Sequence, residues 1–366
     1  MPLRTLDDYS ALLLNDIPLI DVRAPVEFSQ GALPTAVNLP LMTDEERRQV
    51  GIEYAQSGQR AATALGLQLV SGDAKRRRIE AWSAFAAAHS DGALYCARGG
   101  LRSRISQHWL HAQTGIDYPR IQGGYKALRR YLLDRLNAAA HSLRARVVGG
   151  RTGVGKTHFL QRFRNHIDLE DLARHRGSAF GPRAWPQPTQ IDFENALAIR
   201  LLQRTARHNP PLVFEDESNN IGARRTGQAL YQTLCAAPLY LLEADLETRI
   251  EITRQTYVAA ALGDYRRRHG EDRGFAVWST ALLAQLDKIQ RRLGGLRHRQ
   301  LRAMMQSALR RHAQGDAEQH RDWIRTLLTQ YYDPMYDYQL SRKTARIAAR
   351  GDAAELDHAL RAAGAT

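Results

Sequence analysis

The spacing of hydrophobic residues changes along the chain, from short apolar runs to a helical repeat. The apolar runs typical of short buried strands are 18–22, 36–39, 93–95, 145–148, 166–169, 211–214 and 239–242. Helical patterns lie between them, so the alternation predicts right-handed βαβ units and parallel sheets. After about Glu247, apolar residues recur every three or four positions from Leu282 to Leu296, which predicts helices.

Two α/β domains are predicted from these patterns, because 366 residues suffice for two cores. The predicted boundaries are an α/β domain at 1–125, a connecting helix at 126–144, a second α/β domain at 145–246 and a basic helical region at 247–366. Residues 157–165 are predicted to continue as one helix after the second glycine-rich turn. A polar loop is predicted from 168 into the 186–195 stretch, at the edge of the second sheet where substrates bind.

The chain is strongly basic, with 52 Lys and Arg against 38 Asp and Glu, a net charge of +14 and a pI near 10.1. This balance favours a polyanionic partner such as nucleic acid, although an arginine-rich proteome would also produce it. The candidate nucleic-acid contacts in the helical region are Arg266, Arg267, Arg291, Arg292, Arg310 and Arg311.

Location is predicted from what the chain lacks. It has no apolar run near the ~20 residues that span a bilayer, and its first residues lack the apolar segment of a signal peptide. Two cysteines in this length argue for a reducing compartment. We therefore expect a cytoplasmic protein that does not engage membranes.

Residues 150–157, Gly-Arg-Thr-Gly-Val-Gly-Lys-Thr, match the phosphate-binding pattern GxxxxGK[ST] and follow a predicted strand. Gly150, Thr152, Gly153 and Gly155 would wrap the backbone around phosphates, and Lys156 would place a cation on the terminal ones. Thr157 is the candidate ligand for Mg²⁺. The pattern leaves open whether the ligand is a nucleoside triphosphate or another diphosphate ester.

Acidic and basic residues near the next two predicted strands extend this candidate site. The strand at 212–214 ends in Glu215-Asp216-Glu217, of which Glu215 and Asp216 are candidates to hold Mg²⁺ or polarise water. Surface charge that caps a helix is the alternative interpretation. Arg174, His175 and Arg176 follow the strand before it and are candidates for phosphate contacts; a solvated loop is again the alternative.

Cys96 precedes Ala-Arg-Gly-Gly-Leu-Arg-Ser, a sequence suited to a nucleophilic thiolate. Gly99 and Gly100 allow successive backbone amides to point inward as an anion nest. Arg98 or Arg102 would hold the anion of a donor, and Arg102 is better placed to close the ring. A buried structural cysteine is the alternative. The second cysteine, Cys235, lies in an apolar stretch and is predicted to pack in the core.

The N-terminal 125 residues resemble rhodanese-like sulfurtransferase domains. The residues that carry the resemblance are Leu19-Ile20-Asp21-Val22-Arg23, Glu27-Phe28, Gly31, Pro34, Ala36, Asn38 and Pro40, followed by Cys96. The resemblance implies that Cys96 is the persulfide-forming position and that Asp21 and Arg23 brace the domain. The loop is one residue longer than the common rhodanese form, so it would accept a larger donor anion.

The chain as a whole resembles the bacterial tRNA 2-selenouridine synthases, in which a rhodanese domain is fused to a P-loop domain. Besides the two glycine-rich loops, the supporting segments are 123–126, 168–181, 215–218 and 331–338. Asp171 departs from the glycine that the resemblance implies at this position.

The resemblance implies exchange of sulfur for selenium at the wobble 2-thiouridine of tRNA, with selenophosphate as donor, possible supply by selenophosphate synthetase, and a geranylated intermediate made from geranyl diphosphate. In that scheme the phosphate loop would hold the prenyl diphosphate, so ATP is not required. Cys96 would serve the selenium step, and Tyr331, Tyr332, Tyr336 or Tyr338 could stack on a base or simply pack in the core.

Two other classes of function fit the same residues. A nucleotide-dependent kinase with a regulatory rhodanese domain would use the phosphate loop alone. A non-catalytic RNA-binding protein would use neither loop for chemistry. Both differ from the favoured interpretation in what substitution of Cys96 and Lys156 would do to tRNA nucleosides.

Overall fold

Two five-stranded sheets, each with every strand parallel, form the centres of two units in a computed structural model. The structure describes residues 3–206 and 210–366. Unit 1 comprises Met1–Ala138 with Thr189–Ala206, and unit 2 comprises Ala139–Pro188 with Arg207–Thr366. The prediction of an α/β fold with parallel sheets is therefore confirmed.

Unit 1 places helices around a short, largely buried sheet. Its elements are β1 (Thr5–Leu6), α1 (Tyr9–Leu14), β2 (Leu19–Asp21), α2 (Pro25–Ser29), β3 (Ala36–Asn38), α3 (Asp44–Leu69), α4 (Gly72–Ala88), β4 (Ala93–Tyr95), α5 (Leu101–Thr114), β5 (Arg120–Ile121), α6 (Gly124–Ser142) and α9 (Gln190–Thr205). The strand order is β1-β5-β4-β2-β3.

The strands of unit 1 differ in burial according to their position in the sheet. The central strands β2 and β4 are buried along their whole length, as predicted. The prediction of a buried strand at 36–39 is wrong, since β3 is only partly buried and Val37 is 46% exposed. β3 is an edge strand with a single partner, so one side of it meets solvent.

Helix α9 belongs to unit 1, although the sequence analysis placed its residues in the second α/β domain, partly as a polar loop. It begins with a capping box between Thr189 and Asp192. Its apolar face, with Ala198 and Ile199, packs into the same core as Leu13 of α1. A prediction that gives each domain one continuous stretch of residues misses this arrangement. The contacts join residues about 190 positions apart in the chain, as in the hydrogen bond from Gln203 to the Leu13 carbonyl.

Unit 2 combines the second sheet with a bundle of helices. Its elements are β6 (Ala145–Gly149), α7 (Lys156–Leu160), β7 (His166–Ile167), α8 (Leu169–Leu172), β8 (Leu212–Glu215), β9 (Asn220–Ile221), β10 (Arg224–Arg225), α10 (Gln228–Ala236), β11 (Leu239–Leu242), α11 (Leu246–Arg254), α12 (Ala261–His269), α13 (Glu271–Asp287), α14 (Gln290–Leu293), α15 (Gly295–His312), α16 (His320–Leu327), α17 (Asp333–Ser341), β12 (Ile347–Gly351) and α18 (Ala353–Ala362). The sheet order is β12-β11-β6-β8-β7, and β9 and β10 form an antiparallel hairpin.

The helix after the glycine-rich turn is shorter than predicted. α7 ends at Leu160, and the chain then turns, with the Phe163 amide donating to the Leu160 carbonyl. The buried Asn165 does not continue the helix, because its side chain bonds the Pro211 carbonyl and accepts from the Thr366 amide at 3.1 Å. These bonds direct the chain into β7.

The C-terminal region is not wholly helical, contrary to the prediction for 247–366. Strand β12 pairs in parallel with β11 and completes the sheet. Between α11 and α17 the apolar stripe forms one core, in which Leu282, Leu286 and Leu293 are buried. The stripe stops before Leu296, which is 64% exposed because Gly294, at φ +79°, redirects the chain after α14.

Two segments of this helical core have π-helical geometry, Gln255–Ala260 and Leu328–Tyr332. Among the described residues, every helix is too short or too polar to cross a membrane.

We expect Asp192→Ala to weaken the docking of α9. The substitution removes the side chain that caps the helix with Thr189 and that accepts from the Ala32 amide at 2.7 Å. The loss should cost about 1–3 kcal/mol and lower hydrogen-exchange protection of α9 roughly tenfold or more. Hydrogen-exchange mass spectrometry of the α9 peptides measures this.

Glu355→Ala is the matched control, because Glu355 closes the capping box of α18 in unit 2. It should leave α9 protection unchanged. Equal protection of α9 in wild type and Asp192→Ala would contradict the assigned role.

Candidate active sites

Cys96 lies directly after β4, at the carboxyl edge of the unit 1 sheet. It is 3% exposed, and its thiol donates to the Ser103 hydroxyl at 3.2 Å. Ser103 in turn donates to the Gly100 carbonyl at 3.0 Å, in the first turn of α5. The sulfur is therefore oriented toward the N-terminus of a fourteen-residue helix, whose dipole favours a negative group there.

The cysteine loop and the start of α6 lie so close together that each requires a glycine at the contact. Gly99 has φ +62°, and a Cβ there would be 2.7 Å from the Gly123 amide. A Cβ on Gly124, at φ +60°, would lie 2.2 Å from the Cys96 carbonyl. The Tyr125 amide donates to that same carbonyl at 2.9 Å. The start of α6 thus holds the loop beneath Cys96.

The two arginines of the loop, Arg98 and Arg102, have different surroundings. The Arg102 guanidinium forms two hydrogen bonds to the Glu27 carboxylate. Burial alone would raise the pKa of Glu27, but the bonds from Arg102 outweigh it and lower that pKa. Arg98 is exposed, and both arginines line the cavity that opens at Cys96.

Asp21 and Arg23 form a buried bidentate ion pair behind this loop. The Arg23 guanidinium lies 3.8 Å from the centroid of the Tyr125 ring and also donates to the Gly31 carbonyl. These two residues therefore connect β2 with the start of α6 and the segment after α2, and brace the unit.

The glycine-rich turn of unit 2 joins β6 to α7. Gly153 and Gly155 adopt φ of +83° and +87°. A Cβ on Gly153 would lie 2.5 Å from the Thr253 hydroxyl, so α11 approaches the turn too closely for a side chain. The Lys156 ammonium lies 3.4 Å from the Gly150 carbonyl, across the turn.

A buried arginine of α11 holds the turn from outside. Arg249 donates through Nε to the Thr152 carbonyl at 3.0 Å and forms an ion pair with Asp333. This contact was not predicted, since nothing in the spacing of Arg249 relates it to residue 152.

Three carboxylates, from Glu170, Glu215 and Glu217, meet beside the turn. One oxygen from each lies within 4.8 Å of the others. Glu215 is 1% exposed, and its Oε1 has no hydrogen-bond partner within the described chain. Gly177 lies against the cluster, where a Cβ would be 2.4 Å from a Glu170 oxygen.

Burial and mutual repulsion raise the pKa values of all three acids. Burial, then Glu215 and Glu217, raise the pKa of Glu170 to about 10. Burial raises the pKa of Glu215 to about 8, although Lys156 and a hydrogen bond with Thr157 oppose the rise. Three carboxylates, of which Glu215 has a buried oxygen without a partner, offer the oxygen ligands that a hard divalent cation such as Mg²⁺ prefers. Thr157 would lie beside that cation.

The predicted acidic run contributes two of the three carboxylates, Glu215 and Glu217. Asp216 is not one of the three, and its carboxylate pairs with the Lys343 ammonium at 2.6 Å. Glu170 was not among the named candidates. Glu170 follows the strand adjacent to β8, and parallel strands end at the same edge, so the sequence contained a signal for it.

Residues 174–176 do not form one phosphate-contacting surface. Arg174 is exposed with φ +50°. His175 is buried, and burial, together with Arg183, lowers its pKa to about 4, which keeps the imidazole neutral. Arg176 lies over the Tyr257 ring at 5.6 Å, with Asp264 at 3.8 Å.

The predicted nucleic-acid contacts are distributed over three helices. Arg266 pairs with Glu271 at 2.8 Å, and Arg267 pairs with Asp264. Arg291, Arg292, Arg310 and Arg311 are exposed.

The tyrosines of 331–338 divide between core and surface. Tyr332 is buried in the helical core, whereas Tyr338 is 60% exposed.

The prediction that Cys235 packs in the core is wrong. Cys235 lies on α10 and is exposed. The helix buries Leu230 and Leu234 instead, and the residue after Leu234 falls on another face.

Comparisons with known proteins place both loops in one family. The family model described as "tRNA 2-selenouridine synthase AAA domain" matches residues 143–365. Three proteins named tRNA 2-selenouridine synthase are similar over nearly their whole length. That of Marinobacter nauticus is 51% identical, covering 94% of each chain; that of Hahella chejuensis is 52% identical, covering 95% of this chain and 92% of that one. That of Bordetella bronchiseptica is 50% identical, covering 98% and 97%.

We expect the protein without divalent cations to lose thermal stability as pH rises. Glu170 and Glu215 hold protons in the folded state, whereas unfolded glutamate has a pKa near ~4.3. The resulting stabilisation is complete below that value and is lost as pH rises through about 8 and about 10. Melting temperatures at pH 6 and pH 9, with and without MgCl₂, should show a Mg²⁺ gain of several degrees that is larger at pH 9.

Glu215→Gln should flatten this pH dependence and remove the Mg²⁺ gain. Asp216→Asn is the control, since Asp216 pairs with Lys343, and it should keep the gain. The same Mg²⁺ gain in wild type and Glu215→Gln would rule out a cation at the three carboxylates.

Proposed function

This chain belongs to the tRNA 2-selenouridine synthase family, and from that premise we propose that it is a transferase that replaces sulfur by selenium in tRNA. The substrate is the 2-thiouridine at the wobble position, and the donor is selenophosphate. The observation that carries the proposal is the similarity over nearly the full chain. The presence of an oriented thiol and a phosphate-binding turn on one chain supports it.

Unit 1 is proposed to be a rhodanese-like domain that performs the selenium step. Its parallel sheet presents Cys96 after a central strand, at the edge where ligands bind in open α/β sheets. The helix N-terminus behind the sulfur and the exposed Arg98 favour an anionic donor. Cys96 acts at this step, on the donor or on the departing thiol.

The phosphate turn of unit 2 is proposed to hold the diphosphate of geranyl diphosphate. The 2-thio sulfur attacks C1 of the geranyl group, a C–S bond forms, the C–O bond breaks, and diphosphate leaves with the electron pair. Lys156 places a positive charge on that leaving group. Glu170, Glu215 and Glu217 would hold Mg²⁺, which supplies further charge for the diphosphate when bound. This scheme does not require ATP.

Geranylation prepares the base for selenium. Selenium of selenophosphate adds to C2, the C–S bond then breaks, and geranylthiol leaves. Without the geranyl group the sulfur would have to leave as a thiolate, which is a poorer leaving group. Water cleaves the remaining Se–P bond, which gives 2-selenouridine and phosphate.

Binding of the tRNA is assigned to the basic helices of unit 2. Arg291, Arg292, Arg310 and Arg311 are exposed, and phosphate contacts of this kind position a nucleic acid without reading its sequence. A cytoplasmic location and supply of the donor by a selenophosphate synthetase follow from the same proposal.

We expect Cys96→Ala and Lys156→Ala to block different steps. Cys96→Ala should abolish 2-selenouridine while geranylated 2-thiouridine accumulates, because only the thiol is lost. Lys156→Ala should lower both products tenfold or more, because the first step loses its cation. Mass spectrometry of tRNA nucleosides from cells that carry each variant separates these results.

Cys235→Ala is the matched control, because Cys235 is exposed on α10 and should leave both nucleosides unchanged. Unchanged 2-selenouridine in the Cys96→Ala strain would overturn the role of Cys96. Mg²⁺-dependent ATP turnover that only Lys156→Ala abolishes, with unaltered tRNA nucleosides, would favour a kinase instead.

A further inference from the structure

A cavity of about 660 Å³ opens beside Cys96 within unit 1. Binding sites for whole small molecules are typically about 300–1,000 Å³, so this space exceeds what a small donor anion occupies. The cysteine loop forms only one end of it. The rest of the cavity is therefore large enough to hold a further group besides the donor anion.

Apolar side chains make up much of the cavity wall, and Arg47, Gln59 and Thr63 also line it. The large apolar residues are Leu41, Met42, Val50, Leu67, Ile105 and Trp109. The Trp109 ring is held in place from outside, because the Lys75 ammonium lies 4.4 Å from its centroid. This large apolar share of the wall favours a ligand with a hydrocarbon group.

Helix α3 is kinked, and both of its halves line the cavity. At Gly58, φ is +78° and ψ is −175°, which breaks the helix into two halves. Val50 and Tyr54 line the cavity from the first half, and Leu67 lines it from the second. Residues on both sides of the bend therefore contribute to one cavity wall.

Several of these apolar side chains are exposed to solvent. Tyr54 is 59% exposed, Leu67 is 44% exposed, and Leu101 at the mouth is 42% exposed. Clustered exposed apolar residues of this kind mark a ligand or partner surface. A ligand that covers them would gain affinity from their burial.

The opposite end of the cavity is polar and reactive. Cys96, Arg98 and Arg102 line it, with Arg102 held by Glu27. The complete cavity therefore matches a ligand with a reactive, polar head at the thiol and a hydrocarbon chain that extends along α3.

We propose that this cavity binds the geranyl chain of the S-geranylated 2-thiouridine during the selenium step. The inference rests on the proposed function, in which that chain is the one long hydrocarbon group. Bound there, the chain places C2 of the base beside Cys96 and the donor anion beside Arg98. The released geranylthiol remains in the apolar part, away from the reacting carbon.

The test compares two oligonucleotides of the same anticodon stem-loop on the full-length protein, one with 2-thiouridine and one with its S-geranyl form. Wild type should bind the geranylated form at least tenfold more tightly, and an S-methyl form should bind like the 2-thiouridine form. Leu67→Arg should reduce the preference to threefold or less, because it places a charge on the apolar wall.

Ile52→Arg is the matched control. Ile52 lies on the same helix and is also 44% exposed, but it does not line the cavity. It should retain the full preference. Circular dichroism of both variants checks that the change in binding is not a loss of fold.

A second measurement separates failure of this inference from failure of the proposed function. Each protein is given the geranylated stem-loop and selenophosphate, and 2-selenouridine is measured. In Leu67→Arg the KM for the geranylated form should rise at least tenfold, while geranylation of the 2-thiouridine form is unchanged. Wild type that makes no 2-selenouridine overturns the proposed function. Wild type that makes it, with Leu67→Arg showing the same KM and preference, overturns the cavity assignment alone.

Discussion

Parallel pairing of strands is the constraint on which the position of every reactive group depends. Parallel strands end at a common edge, and the residues that follow them are brought together. In unit 1 this places Cys96 after β4, next to the strand that ends at Asp21. In unit 2 the register pairs Val148 with Glu215, so the acid that ends β8 lies beside the turn that follows β6. The chemistry of both units therefore depends on strands of only two to five residues.

The two sites balance their buried charges by different means. In unit 1 the Glu27 carboxylate is paired with a guanidinium, and its pKa falls. In unit 2 the Lys156 ammonium acts on all three carboxylates, yet burial makes two of them, Glu170 and Glu215, retain protons. Buried acids with too few positively charged groups nearby to balance them are typical of sites that a ligand or a cation completes. A salt bridge such as Asp216–Lys343, in contrast, is already complete.

Sequence patterns predicted the features that depend on neighbouring residues. They missed the features that depend on contacts between distant parts of the chain. The strands, the cysteine loop and the phosphate-binding turn follow from patterns within a few residues of each other. The matching family model and relatives support the assignment of the turn. The pairing of Arg102 with Glu27 was not predicted, because the two residues are 75 positions apart. Cys235 was expected in the core because its neighbours are apolar, yet the helix turns it outward. The bend at Gly58, between two helix halves that both line the cavity beside Cys96, was indicated by no periodicity.

The position of α9 has a consequence for the order in which the protein is made. Chains are synthesised from the N-terminus, and units fold as their residues emerge. Unit 1 includes residues 189–206, so its core, where Ile199 packs with Leu13, cannot close when the first 138 residues have appeared. By the time α9 emerges, β6 and the phosphate turn have already been synthesised. The N-terminal unit is thus started first but finished only after the beginning of its successor has left the ribosome.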